Sequence, residues 1–263
     1  MLKLNKNINF IIQFSLRDVK NRYVNSNLGI IWSVITPLIM IILYATIFSN
    51  ILNLKLGILN NKFSYVNYLC IGIITWNFLS EFLIKSLNIF RENSNLIKKL
   101  NFFKIYLIIA NLISSLFNFT LALTIFLVFL IFYQKDFNNI NFYLFIIIFL
   151  SQIIFIFSLG LCLSLLNVFI PDTEHFFKIF IQIWFWASPI VYPISIIPES
   201  VKNIFFINPF YHFLKYYHEI FVFKNIVSIN YFDICLLYFY ILFFLSISLY
   251  LYKKIKDAIV DEI

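Results

Sequence analysis

The stretch SPIVYPISIIPES, Ser188 to Ser200, decides how this chain folds. It closes a long apolar run and holds three of the chain's six prolines within ten residues. Proline fixes φ, lacks an N–H and breaks a helix interior, so a pattern otherwise written for hydrophobic helix is interrupted here three times. The chain around it is 62% hydrophobic and only 12% charged over 263 residues, against roughly a quarter charged in soluble domains. That composition belongs in a bilayer, where non-helical backbone is tolerated only against protein or a water-filled cavity. The stretch therefore predicts a chain that turns back before it has crossed.

Outward from this point, a spanning helix needs about 20 apolar residues, and six windows qualify. They are Ile30–Leu52, Tyr65–Ile84, Ile105–Tyr133, Phe142–Ile170, Phe176–Ile197 and Tyr231–Tyr252, the fifth running into the prolines. No polar block forms a separate domain, and no internal repeat is evident. The first 23 residues lack the apolar core and small-residue cleavage site of a signal peptide, so the chain reads as starting at Met1.

With six crossings and an inside start, fourteen of the 20 Lys and Arg fall on the inside, including Arg17, Lys20, Arg22, Arg91, Lys98, Lys99, Lys253 and Lys254. The positive-inside rule then predicts both termini in the cytoplasm. Ahead of the first window, Ile8, Ile12, Leu16, Val19 and Tyr23 recur at helical spacing opposite Gln13, Arg17, Lys20 and Asn21. Such a helix suits the headgroup layer, apolar side down. Between the second and third windows, RENSNLIKKLNFFKIY (Arg91–Tyr106) predicts a short amphipathic helix. Ser94 or Asn95 would cap it, and Leu96, Ile97, Leu100 and Phe103 would share one side. It would lie on the membrane or dock in a partner's groove.

Catalytic patterns are missing. Four glycines, Gly29, Gly57, Gly72 and Gly160, cannot write a phosphate-binding G-x-x-x-x-G-K-[ST] loop. His212 and His218, six residues apart, would point about 120° from each other on a helix, so no metal site is expected. Cys70, Cys162 and Cys235 sit in separate apolar segments and read as small buried hydrophobes. Glu81 and Lys85, one turn apart near the inner end of the second window, read either as two side chains snorkelling to the interface or as a local ion pair. A membrane-embedded glycosyl or acyl transferase would need acids or histidines near the membrane face, and Asp172, Glu174 and His175 form the one tight cluster that could serve it, a lesser alternative. A secondary transporter would need repeats and midplane charges. Trp76, Trp184 and Trp186, with Tyr44, Phe48, Tyr68 and Tyr192, offer flat surfaces on which sugars could slide, against a background of interfacial aromatic belts.

Four stretches carry a resemblance. RDVKNRYVNSNLGIIW, Arg17–Trp32, followed by Pro37, matches R-D-x-x-x-R-Y-x-x-S-x-L-G-x-x-W. LIKKLNFFK spans Leu96–Lys104. DTEHFFKIFIQIWFWASPIVYP, Asp172–Pro193, is followed by Pro198 and by Asn208-Pro209. YKKIKDAIVDEI, Tyr252–Ile263, ends the chain. Together they resemble the permease subunit of ABC-type polysaccharide exporters, nearly end to end. The sequence departs from the family's pattern at Phe102-Phe103-Lys104, where a proline is usual, at Pro171, where an arginine is common, and at Lys256, in place of a glutamate.

The resemblance implies an all-α membrane protein. Residues 1–29 would form an interfacial gate helix, 30–252 a six-helix membrane region with short re-entrant gate helices between spans five and six, and 253–263 a cytoplasmic tail. It also implies a bacterial inner-membrane homodimer served by two copies of a separate ATPase, which would hold ATP and Mg; this chain would bind no cofactor, metal or nucleic acid. Arg17, Asp18, Arg22 and Tyr23 would belong to the gate helix, and Lys98, Lys99, Leu100, Phe103 and Lys104 to the ATPase-coupling segment. Tyr44, Phe48, Tyr68, Trp76, Trp184 and Trp186 would line the substrate channel. Ser188, Pro189, Tyr192, Pro193, Pro198, Asn208 and Pro209 would form the outer gate. The cargo would be a lipid-linked glycan of the O-antigen type, with capsule and teichoic acid as alternatives.

Overall fold

The computed structural model describes residues 2–21, 28–50, 62–99, 102–133, 140–223, 231–256 and 258–263. The described residues form helices and connections, with no strand among them. In chain order the helices are α1 (Leu2–Asn21), α2 (Trp32–Asn50), α3 (Lys62–Glu92), α4 (Ser94–Lys99), α5 (Ile105–Tyr133) and α6 (Phe142–Phe169). They continue with α7 (Asp172–Trp186), α8 (Glu199–Ile207), α9 (Pro209–His218), α10 (Tyr231–Ile255) and α11 (Ile259–Glu262). The all-α expectation holds. Four helices, α3, α5, α6 and α10, are long and apolar enough to cross a membrane, and α2 contributes a shorter apolar helix, Trp32–Leu43. This is a multi-pass membrane protein.

α3 is the hub. It packs against α2, α5, α6, α7 and α9, and 67% of its most apolar stretch is buried, against 17% for α10. α10 touches mainly α6 and α9, leaving Tyr238, Phe239, Leu242 and Phe243 outward, as a lipid-facing helix should. Cys235 shares that exposure, while Cys70 on α3 is buried; the expectation of three buried cysteines fails where one helix sits at the rim. At Gly160, α6 comes so close to α3 that a Cβ would enter the ring of Phe82. Small residues at such crossings let helices in membranes approach.

Two windows change length. The second runs past Ile84 to Glu92, because Ser86, Leu87, Ile89 and Phe90 are all buried and Lys85 finds a carboxylate in Asp18. The fifth stops at Trp186 rather than Ile197. Beyond it come irregular backbone, one turn of tighter helix at Ile194–Ile196, and then α8 and α9. Pro198 immediately precedes α8 and Pro209 opens α9, the position where a missing N–H costs nothing.

α1 has three faces. Asn7 and Asp18 turn toward α5, where Asn7 donates to Tyr106 Oη at 3.1 Å and Ser114 Oγ donates to Asp18, and Ser15 and Val19 are buried. Ile8, Ile12 and Leu16 stay exposed, and Gln13, Arg17 and Lys20 are exposed beside them. A helix wedged between protein, lipid and water needs these three surfaces. α4 begins at Ser94, and its cap is Asn93, whose carbonyl accepts from Leu96 and Ile97. The expected caps Ser94 and Asn95 lie inside the helix. Nor do Ile97 and Phe103 share a side: Ile97 is buried, and Phe103 is 63% exposed beyond the helix end.

Candidate functional site

Along α3, Asn77, Glu81, Lys85, Asn88 and Glu92 recur at helical spacing and occupy a face about 80° wide at 100° per residue. All five keep some exposure in a helix most of whose other residues are buried, Ser80, Ile84 and Arg91 being partly exposed beside them. A polar row on a spanning helix marks a water-filled cavity or a partner rather than lipid. Only Glu81 and Lys85 stand out when residues are taken singly. Reading the i, i+4, i+8, i+11, i+15 spacing through the whole helix would have found the row.

Two hollows flank it. Toward α2 and α5 lies a cavity of about 280 Å³ whose lining includes Trp32, Thr36, Asn77, Glu81 and Asn118. Asn118 Nδ2 donates to Glu81 at 3.1 Å. Toward α7 lies a groove of about 490 Å³ between Trp76, Ser80 and Ile84 on one wall and Lys178, Gln182 and Trp186 on the other. Trp186 is 64% exposed. Lys178 also meets Glu174 at 2.5 Å. Glu174 is thus a carboxylate paired with an ammonium one helical turn away.

At one end, the row reaches a polar cavity of about 170 Å³ lined by Arg17, Asp18, Asn21, Lys85, Glu92 and Asn111. The Arg17 guanidinium lies 4.8 Å over the Phe14 ring, and Asp18 pairs with Lys85. Arg22 and Tyr23 lie outside the described residues, as does Leu100. Lys98 and Lys99 are exposed at the end of α4, and Lys104 donates to the carbonyl of Lys256.

The other end holds the proline stretch against α3. Tyr65 Oη donates to the Val191 carbonyl at 2.7 Å. Tyr68 Oη donates to the Pro189 carbonyl at 2.6 Å and lies 3.1 Å from that of Tyr192. Asn208 uses its whole amide: Oδ1 accepts from Trp184 Nε1 and the Phe210 N–H, while Nδ2 donates to the Ala187 carbonyl and Ser188 Oγ. That saturates the four positions an amide offers here and ties the end of α7 to the start of α9. Tyr192 Oη donates back to the Trp186 carbonyl. Pro193 precedes the turn at Ile194–Ile196.

The aromatic residues separate into two sets. Tyr68, Trp76 and Trp184 are buried; Trp76 and Trp184 meet edge to face at 5.7 Å, and Tyr68 stacks on His218 at 3.6 Å. Trp186 projects into the groove, where Trp76 shows an edge. Tyr44 and Phe48 lie on α2 with side chains outside the described set. His212 and His218 do point apart: one toward Asp233, the other onto Tyr68.

Comparison with known proteins follows this geometry closely in extent. The ABC-2 type transporter family profile matches residues 11–222, from α1 through the turn after α9. Two O-antigen export system permease proteins RfbA of Klebsiella pneumoniae are 26% and 27% identical over 259 and 261 residues. The first alignment covers 97% of this chain and 96% of the relative, the second 98% of each. A third RfbA permease, from Myxococcus xanthus, is 26% identical over 80% of this chain and 79% of its own length. With α2 to α9 and the polar row inside a matched region that covers most of the chain, the chain belongs to the ABC-2 type transporter family.

Proposed function

We propose that this chain is the permease of an ATP-driven exporter moving a lipid-linked polysaccharide of the O-antigen type across a bacterial inner membrane. The polar row on α3, bordered by the α7 groove, is the observation that carries this reading. A sugar chain needs weak, replaceable hydrogen bonds and flat apolar faces. Asn77, Glu81, Asn88, Ser80 and Gln182 offer the first, and Trp186 with the edge of Trp76 the second. Arg17, Lys85 and Lys178, gathered toward the α1 end, suit a phosphate-bearing lipid headgroup. Near full-length similarity to permeases named for O-antigen export favours that cargo over capsule or teichoic acid.

In this reading two copies pair so that their α3 rows face a shared path, and α2 and α7 complete six crossings with both termini cytoplasmic. Arg17 and Asp18, with Arg22 and Tyr23, form the gate helix. Lys98 to Lys104 dock one of two ATPase subunits, which bind ATP and Mg. Ser188 to Pro209, with α8 and α9, closes the outer mouth.

The test is a strain lacking this chain, complemented with wild type or with Trp186→Ala plus Gln182→Ala. We expect the deletion to abolish surface glycan and trap lipid-linked glycan inside. The double variant should restore export only partly, about tenfold below wild type, at a normal membrane level, and tagged protein should co-purify an ATPase chain. Unchanged surface glycan in the deletion strain overturns the export reading.

A further inference from the structure

The chain's last helix has contacts that the docking role proposed for residues 98–104 does not require. α4 has six residues, far too few to hold a helix in water unaided. Its buried side chain, Ile97, belongs to the same apolar cluster as Ile259 of α11, which is fully buried. α11 packs against both α4 and α6, with Val260 and Ile263 partly buried in the same core. At the other end of the segment, Lys104 donates to the Lys256 carbonyl just past α10. An orphan carbonyl at a helix C-terminus favours such a cation. Phe102 anchors the stretch between them, its ring 5.0 Å from Phe10 of α1.

We propose that α11 is a positioning element for the partner-docking segment. Ile259 wedges α4 against the bundle while Lys104 fastens the far end of the segment to the α10 terminus, so that the ATPase meets one rigid α4–α11 platform. The exposed described residues of that platform include Asn95, Lys98, Lys99 and Phe103, with Glu262 on α11. The inference rests on the reading above that residues 98–104 dock the ATPase; its own content is that the tail fixes their geometry. A force applied at α4 would then pass into α6 and α10 as well as into α3.

Amide hydrogen exchange on the full chain in detergent, without the ATPase, tests the positioning directly. Ile259→Ala should speed exchange across residues 94–99 by on the order of tenfold and leave α5 and α6 unchanged. Ile259→Val should stay near wild type. Lys104→Met opens no cavity and should act in the same direction at smaller size. Binding of the co-expressed ATPase subunit should then weaken about tenfold in Ile259→Ala and recover in Ile259→Val. Unchanged exchange at 94–99 in both Ile259→Ala and Lys104→Met overturns the positioning. Faster exchange with undiminished binding overturns the platform. Lys98→Glu combined with Lys99→Glu separates the two levels. If that pair leaves binding intact, the docking assignment falls and the proposal with it; if it abolishes binding while Ile259→Ala does not, the tail's part alone falls.

Discussion

At one end of the bundle Asp18, Lys85 and Ser114 join α1 to α3 and α5 through ionised groups; at the other, Tyr65, Tyr68, Trp184 and Asn208 hold the proline stretch through neutral hydrogen bonds and ring contacts. Charge pairs lie on that second side too, but Glu199 with Lys202 stays within α8 and Lys215 with Asp233 joins α9 to α10, so neither ties the stretch to α3. Charged contacts can be exchanged for other anions and are weakened by salt. Neutral contacts in a buried setting cannot be exchanged so readily, and leaving one unmade is expensive. The first end is therefore held by contacts that salt can weaken, and the second by contacts that fix a broken stretch of backbone in place.

Both ends share α3, so the largest expected effect comes from loosening what they share. Gly160→Ala drives a methyl group into Phe82 and close to Ser86 Oγ, both on α3. Overpacking of this kind costs about 2–3 kcal/mol, and we expect the thermal midpoint of the purified protein to fall, with α1 and the proline stretch loosening together. A midpoint equal to wild type would show that α3 and α6 do not press at this crossing.

Asp18→Ala should separate the ends. It strips Lys85 of a carboxylate where the two side chains are 26% and 17% exposed, at a cost of about 2 kcal/mol. Trypsin should then cut faster at Arg17 and Lys20 while exchange at the proline stretch stays slow. Adding Lys85→Met should recover part of the loss, since an apolar replacement leaves no stranded charge. Equal tryptic rates in wild type and Asp18→Ala would remove the charged contact as the fastening of α1.

Much of this architecture was legible in sequence. Ile105–Tyr133 and Tyr231–Tyr252 mark α5 and α10 to within a turn, because hydropathy and turn signals agree there. The break after Trp186 was legible in Pro189, Pro193 and Pro198. What sequence withheld is pairing across helices. Lys85 has Glu81 one turn away, yet it reaches Asp18, 67 positions earlier in the chain, and spacing along one helix says nothing of a neighbour's carboxylate. The inward turn of Tyr68 and Trp184 was equally hidden. Both look like interfacial aromatics by composition, and only the carbonyls of Pro189 and Tyr192 and the amide of Asn208 show why they face inward. Ile259 was hidden for the same reason: four residues after a basic run carry no periodic signal.

The smallest effect tests the neutral end most sharply. Tyr68→Phe keeps the ring stacked on His218 and removes one oxygen. That oxygen serves the Pro189 and Tyr192 carbonyls, so the stretch loses its tie to the middle of its turn while Tyr65 still holds Val191. The net cost of one such bond is about 1 kcal/mol, too little to unfold the chain. It should be enough to raise exchange at the Ile190 amide, which donates to the Ser188 carbonyl at 2.7 Å. Because no ionised group takes part, that rise should be the same at low and high salt, whereas tryptic cutting of α1 in the wild type should quicken as salt screens Asp18 from Lys85. Salt dependence at Ile190 would mean that charge reaches the proline stretch after all, and the division between the two ends would have to be redrawn around Lys215 and Asp233.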